Sequence, residues 1–312
     1  MDFVSLPNRS KFEFAKDDST FSILCEKVRK LRLHNYPFGD GDWCSPDPYE
    51  SNDPQLETVT QLKQVAALEK IYDYDNSWST DIQSLRKAAI ERPKEIGIKE
   101  VMGSFTTLRF TSPKLKTIDP NVRHLYNLQS LSFVATSSLD KIMFDHLPPC
   151  LQQLNVIACG LTGLSESIEE SNNFPYIGLI HLGLAMNSCK SALTDHYLSS
   201  AFFPNLKSID LSSNGLTNLN TFVKAAKSLK NLGALNLSGN PLCNFKLYQV
   251  ALIHELGLTI LDDRQISVEE KQRAQQHMLE TIESVQGNTR RENVFQQSTS
   301  SIARVKKIPR IF

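Results

Sequence analysis

The chain lacks the features by which membrane, secreted and nucleic-acid-binding proteins usually announce themselves. No apolar run approaches the roughly 18 residues that a membrane helix needs. Residues Met1 to Pro7 hold no basic stretch leading into an apolar one, so neither a membrane nor a secretory route is expected. The six cysteines (Cys25, Cys44, Cys150, Cys159, Cys189, Cys243) form no Cys-x-x-Cys pair. That speaks against a zinc ribbon or a clustered disulfide cap and reads as buried thiols in the cytoplasm. The 34 Lys and Arg balance 34 Asp and Glu, which leaves no global field to gather phosphates, and nucleic acid is not the expected partner.

Catalytic constellations are missing as well. There is no Gly-x-x-x-x-Gly-Lys-Ser/Thr phosphate loop, no Gly-x-Gly-x-x-Gly and no Gly-x-Ser-x-Gly elbow. His254-Glu255 opens a His-Glu-x-x-His zinc motif but meets Leu258 where the second His belongs. Asp73-x-Asp75-x-Ser77 begins like a calcium loop, yet Trp78 stands where Gly is needed and Ser84 where a bidentate Glu is needed. Asp262-Asp263 reads as a solvated capping turn rather than a carboxylate pair. The expectation is a non-enzyme without metal, cofactor or small-molecule substrate.

What is present is a repeat, and repeats decide architecture. Leu206-x-x-Ile209-x-Leu211-x-x-Asn214-x-Leu216 is the clearest unit. Leu232, Leu235, Leu237, Asn240 and Leu242 copy it, as do Leu179, Leu182, Leu184, Asn187 and Cys189. Leu151, Leu154, Val156, Cys159, Leu161 and Leu164 fit too, and weaker copies start at Leu128 and Phe105. First positions lie 23, 23, 28, 27 and 26 residues apart. In the Leu-x-Leu step both leucines face one side of a short strand and the residue between faces the other. The ninth-position Asn can bond backbone groups that would be orphaned where the chain bends. Pro113 and Thr136 take that place in the first two copies, which predicts an irregular ladder there. The return segment from Asn220 carries Phe222, Val223, Ala226 and Leu229 at helical spacing behind an Asn cap, and predicts strand-plus-helix coils.

This spacing resembles the leucine-rich repeat family, and Asn240-Pro241-Leu242, Tyr248 and Leu261-Asp262 resemble the C-terminal cap of its intracellular members, typified by the protein phosphatase 1 regulator and the U2 snRNP A-prime protein. The fold class so implied is α/β, a right-handed leucine-rich repeat solenoid with an N-terminal helical cap and a C-terminal cap. Cap-bearing repeat proteins of motile cilia make an axonemal or ciliary setting a further implication of the resemblance, which supplies no functional residues.

The domain reading is an N-terminal helical segment and cap over 1–100, about six repeats plus cap over 101–266, a flanking helix over 267–288 and a basic tail over 289–312. Phe21, Leu24, Cys25, Val28 and Leu31 predict one helix of the first segment, Leu56, Val59, Leu62 and Val65 a second, and Ile82, Leu85 and Ala89 a third that Pro93 stops. Between the first two, residues 40–58 hold Asp40, Asp42, Asp47, Glu50, Asp53 and Glu57 with no base. Ser267-x-x-Glu270 is a capping box before a stripe of Ala274, Met278, Ile282 and Val285. In the tail, Arg304, Lys306, Lys307 and Arg310 are candidates for electrostatic docking, and an RNA- or ribonucleoprotein-associated adaptor using them is the alternative function.

The favoured function is a non-enzymatic protein-interaction scaffold. Outward strand positions carry Val134, Ile157, Ala185 and Met186 as an apolar strip, bordered by small hydroxyls and by Asn155, His181 and Asp210. Exposed contiguous apolar surface marks an interface, and Met adapts to the ridges of a partner, here a helix or coiled coil. Cover by the chain's own flanks is the competing reading.

Overall fold

A computed structural model describes residues 19–29, 77–91, 98–136, 139, 142–163, 176–189 and 198–279. The acidic loop 40–58, the helix expected over 55–72, Leu164, Ile282, Val285 and the tail residues Arg304, Lys306, Lys307 and Arg310 lie outside these residues.

Each repeat step forms a strand, and the C-terminal cap adds two. The strands are β1 (Thr107–Phe110), β2 (Ser130–Val134), β3 (Gln153–Ile157), β4 (His181–Gly183), β5 (Ser208–Asp210), β6 (Ala234–Asn236), and in the cap β7 (Ile260–Leu261) and β8 (Arg264–Gln265). They stack in chain order in one sheet, parallel throughout except for the antiparallel β7–β8 pair that closes it. Leu108, Leu131, Leu154, Leu182, Ile209, Leu235 and Leu261 stand in one register across seven strands. All seven are buried. One turn of chain per strand, each burying its leucines against the next, is a leucine-rich repeat solenoid.

The return segments differ with their length. The two coils with 23-residue spacing come back through 3-10 turns at Pro120–His124 and Phe144–His146, because they have no room for a full helix. The coil that starts at Leu206 has room, and forms a helix over Leu219–Ala226. Its cap is Asn218, whose side chain accepts from Thr221 N, rather than Asn220, which is exposed inside the helix. Strand-plus-helix geometry therefore belongs to the longer coil and not to the first two.

At the N-terminal end, helices Thr20–Arg29, Ile82–Glu91 and Ile98–Ser104 bury Phe21, Leu24, Ile82, Leu85, Val101 and Met102 against the first coils. The free edge of β1 is taken up by residues just before the second of these helices. Arg109 N donates to Trp78 O at 2.7 Å. The Asp81 carboxylate accepts from Thr106 N at 2.7 Å, Thr107 N at 3.0 Å and Thr106 Oγ1 at 2.9 Å. At the other end helix Tyr248–Leu256 stops at Gly257, held at φ 63°. A last helix over 268–279 follows the capping box, in which Ser267 N donates to Glu270 Oε2 at 2.9 Å and Glu270 N to Ser267 Oγ at 3.2 Å.

Candidate interaction face

The ninth-position ladder holds the coils together and thereby fixes the face they present. Asn187 Oδ1 accepts from Cys159 N at 3.0 Å and Leu161 N at 3.1 Å, while Nδ2 donates to Val156 O at 2.7 Å. Asn214 Oδ1 accepts from Cys189 N at 3.2 Å, and Asn240 Oδ1 accepts from Asn214 N at 2.9 Å and Leu216 N at 3.0 Å. Asp262 takes the corresponding role in the cap. Its carboxylate accepts from Leu237 N at 2.9 Å and from the Tyr248 hydroxyl at 3.0 Å, so this acid is a structural acceptor rather than a solvated terminus. Toward the N-terminus the ladder fades. Cys159 offers only a thiol, to Ile157 O at 3.2 Å, and Thr136 Oγ1 is buried with no hydrogen-bond partner.

The residue before each ladder position from Thr136 to Asn240 is forced into the left-handed region: Ala135 (φ 54°), Ala158 (53°), Met186 (58°), Ser213 (53°) and Gly239 (73°). This turn sets the side chains of Ala135, Ala158 and Met186 beside the strand ends. Val134 lies opposite Ile157 in the β2–β3 register, Ala135 N donates to Ile157 O at 2.9 Å, and Ala158 N to Ala185 O at 3.0 Å. Val134, Ala135, Ile157, Ala158 and Met186 are thus brought together, and Met186 is 62% exposed. Ala185 stands in the same row but is buried, its methyl too short to rise from it; it braces the strip rather than contributing to its surface.

The centre of the face is polar. His181 Nε2 lies 3.0 Å from Asn155 Oδ1, and Nδ1 lies 3.0 Å from Ser208 Oγ. Because Asn155 Oδ1 can only accept, the proton sits on Nε2 and Nδ1 accepts from the Ser208 hydroxyl. Burial pushes the His181 pKa below its ordinary value, with Asp210 pulling weakly the other way, so the ring is neutral near pH 7. Gly183 makes the arrangement possible, since a Cβ there would collide with Asn155 Oδ1. Asp210 Oδ1 accepts from Ser212 N at 2.9 Å, and Asn236 Nδ2 donates to Asp263 Oδ2 at 2.9 Å. The sequence singled out Asn155, His181 and Asp210 one by one; that His181 bonds both Asn155 and Ser208, beside a residue that must be Gly183, is what it did not disclose. Among the described residues no group of His, Cys, Asp and Glu could hold a metal ion, and no helix is long and apolar enough to cross a membrane.

Comparison with known proteins meets this geometry at the repeats, for residues 143–288 match the leucine-rich repeat family model. The chain thus carries leucine-rich repeats over these residues. It is 29% identical over 272 residues to leucine-rich repeat-containing protein 43 of Mus musculus, and 29% identical over 263 residues to the protein of the same name from Homo sapiens. These alignments cover 80% and 79% of the chain but only 39% of each relative, so the chain spans about two-fifths of their length. Among solved structures, one in the Drosophila melanogaster SNF/U2A' complex aligns at a TM-score of 0.37 and 20% identity, over 54% of this chain and 79% of that one.

Proposed function

We propose that this leucine-rich repeat chain is a non-enzymatic scaffold that binds a helical or coiled-coil segment of another protein across its strand face. The observation that carries this reading is the contiguous apolar strip of Val134, Ala135, Ile157, Ala158 and Met186 at the strand ends, beside a polar centre whose groups already bond one another. Apolar side chains give area and the small ones let a helix lie close, while a satisfied polar floor lets it do so without stranding donors. A strand is a poor occupant, because the β1 edge is already paired through Trp78 and sealed by Asp81. The setting we propose is cytoplasmic and ciliary or axonemal, supported by the likeness of the cap to intracellular repeat proteins.

The test is affinity capture and mass spectrometry from ciliated and non-ciliated cells, comparing the native chain with an Ile157→Arg, Met186→Arg double variant of unchanged circular dichroism. A partner set lost with the variant, and found in ciliated cells, supports the reading. An unchanged partner set refutes the strip as the binding surface.

A further inference from the structure

Along the middle outward row of the sheet the charges are sorted by end. Register places Arg109, Ser132, Asn155, Gly183, Asp210 and Asn236 on successive strands, and Asn236 reaches on to Asp263. A base stands at the N-terminal end and two acids at the C-terminal end, and the three residues between Arg109 and Asp210 are uncharged. The flanking outward row, Thr107, Ser130, Gln153, His181, Ser208 and Ala234, carries no full charge with His181 neutral. Lys207, three residues before Asp210, lies exposed at the opposite rim where the strands begin.

Four strand spacings separate Arg109 from Asp210 and about two more reach Asp263, or roughly 19 to 29 Å at about 4.8 Å per spacing. An α-helix of about 13 to 19 residues covers that span, and its macrodipole places about half a positive charge at its N-terminus and half a negative charge at its C-terminus.

We infer that the occupant of this face is a single helix of that length with a fixed polarity: its N-terminal end lies over Asp210 and Asp263, and its C-terminal end over Arg109. The inference rests on the proposed helix-binding function and adds to it the direction of the helix and the charges it should carry. A partner segment with basic residues in its first turn and acidic ones in its last complements the row at both ends. The reverse orientation places like charges together at both ends.

The test uses the full chain and two hydrocarbon-stapled, fluorescein-labelled peptides of 18 residues with identical composition and an identical Leu/Ala stripe. One carries Lys in its first turn and Glu in its last, and the other carries them exchanged. Stapling equalises helicity, so anisotropy titrations at low salt report the groove alone. The second peptide can match its end charges to the row only by lying in reverse, which sets its macrodipole against Arg109 and the two acids, so the expected result is roughly three- to tenfold tighter binding of the first peptide. The preference should collapse in an Arg109→Gln, Asp210→Asn, Asp263→Asn variant, where Asn at 210 keeps an acceptor for Ser212 N. Equal affinity for both peptides, abolished by Ile157→Arg, overturns the polarity and leaves the groove standing. Absence of binding by either peptide overturns both.

Discussion

Positions 187 and 136 hold the same place in two coils, yet substitutions there should act in opposite directions. Replacing Asn187 by Ala removes the acceptor of two buried backbone N–H groups, Cys159 N and Leu161 N. At about 1–3 kcal/mol for each buried group left unpaired, the expected loss is about 2–6 kcal/mol. Part of the ladder survives. Leu184 O still receives Asn214 Nδ2 at 2.8 Å and Ala185 O still receives Ala158 N, so on the donor side of the Asn187 amide it is Val156 O, bonded at 2.7 Å, that loses its partner. Thr136→Val, by contrast, deletes a buried hydroxyl that bonds to nothing and keeps the shape, so stability should rise by about 1 kcal/mol. Urea titration followed by circular dichroism gives the global difference. Native-state hydrogen exchange at Cys159 and Leu161 shows whether the loss is local to the third coil. Equal costs at the two positions, or unaltered exchange at both amides in Asn187→Ala, would refute the reasoning.

Other substitutions probe the caps and the face. Asp81→Ala strips the β1 edge of a carboxylate that accepts from Thr106 N, Thr107 N and Thr106 Oγ1, and should cost about 2–4 kcal/mol with exchange accelerated at those two amides; normal protection there would show the seal to be dispensable. Gly183→Ala drives a methyl into Asn155 Oδ1 and should break the His181–Asn155 bond, seen as a changed imidazole N–H signal by NMR. Because burial lowers the His181 pKa in the folded state, the unfolded chain binds more protons below about pH 6.5. This contribution to stability is therefore complete above that pH and falls as the pH is lowered toward the folded value. An NMR titration should place His181 below a free histidine, and lower still in Asp210→Asn, where the opposing charge is gone; an upward shift in that variant would contradict the arrangement.

Much of the architecture was legible because the repeat writes it in one dimension. The inward residues Leu131, Leu154, Leu182, Ile209 and Leu235 and the asparagines at 187, 214 and 240 occupy the places their spacing assigns. The thinning of the ladder at Thr136 was visible for the same reason, as was the Ser267–Glu270 box, which closes within three residues. What escaped depended on contacts between distant segments or on side-chain length. The Asp81 seal joins residues 25 apart, and nothing in a Ser-Thr-Asp run before a helix distinguishes a sheet-edge acceptor from an ordinary cap. Ala185 has the outward parity of Ile157 but is buried, because parity gives direction and not reach. The His181 bonds could have been sought by writing the outward residues as columns, since His181 and Ser208 fall in one column and Asn155 in the next.

The graded ladder has a kinetic counterpart. In a stack whose stability is a sum of nearest-neighbour terms, structure nucleates where the couplings are strongest and spreads outward. Here those couplings lie between Asn187 and Asp262, so the C-terminal coils should form first and the coils of β1 to β3 should zip on to them afterwards. The same gradient makes the N-terminal half the first to fray. The apolar strip sits across that seam, with Met186 on the early-forming side and Val134 on the late one. A partner that grips both would clamp the seam shut, and its arrival should register as slowed opening of coils it touches only at one rim.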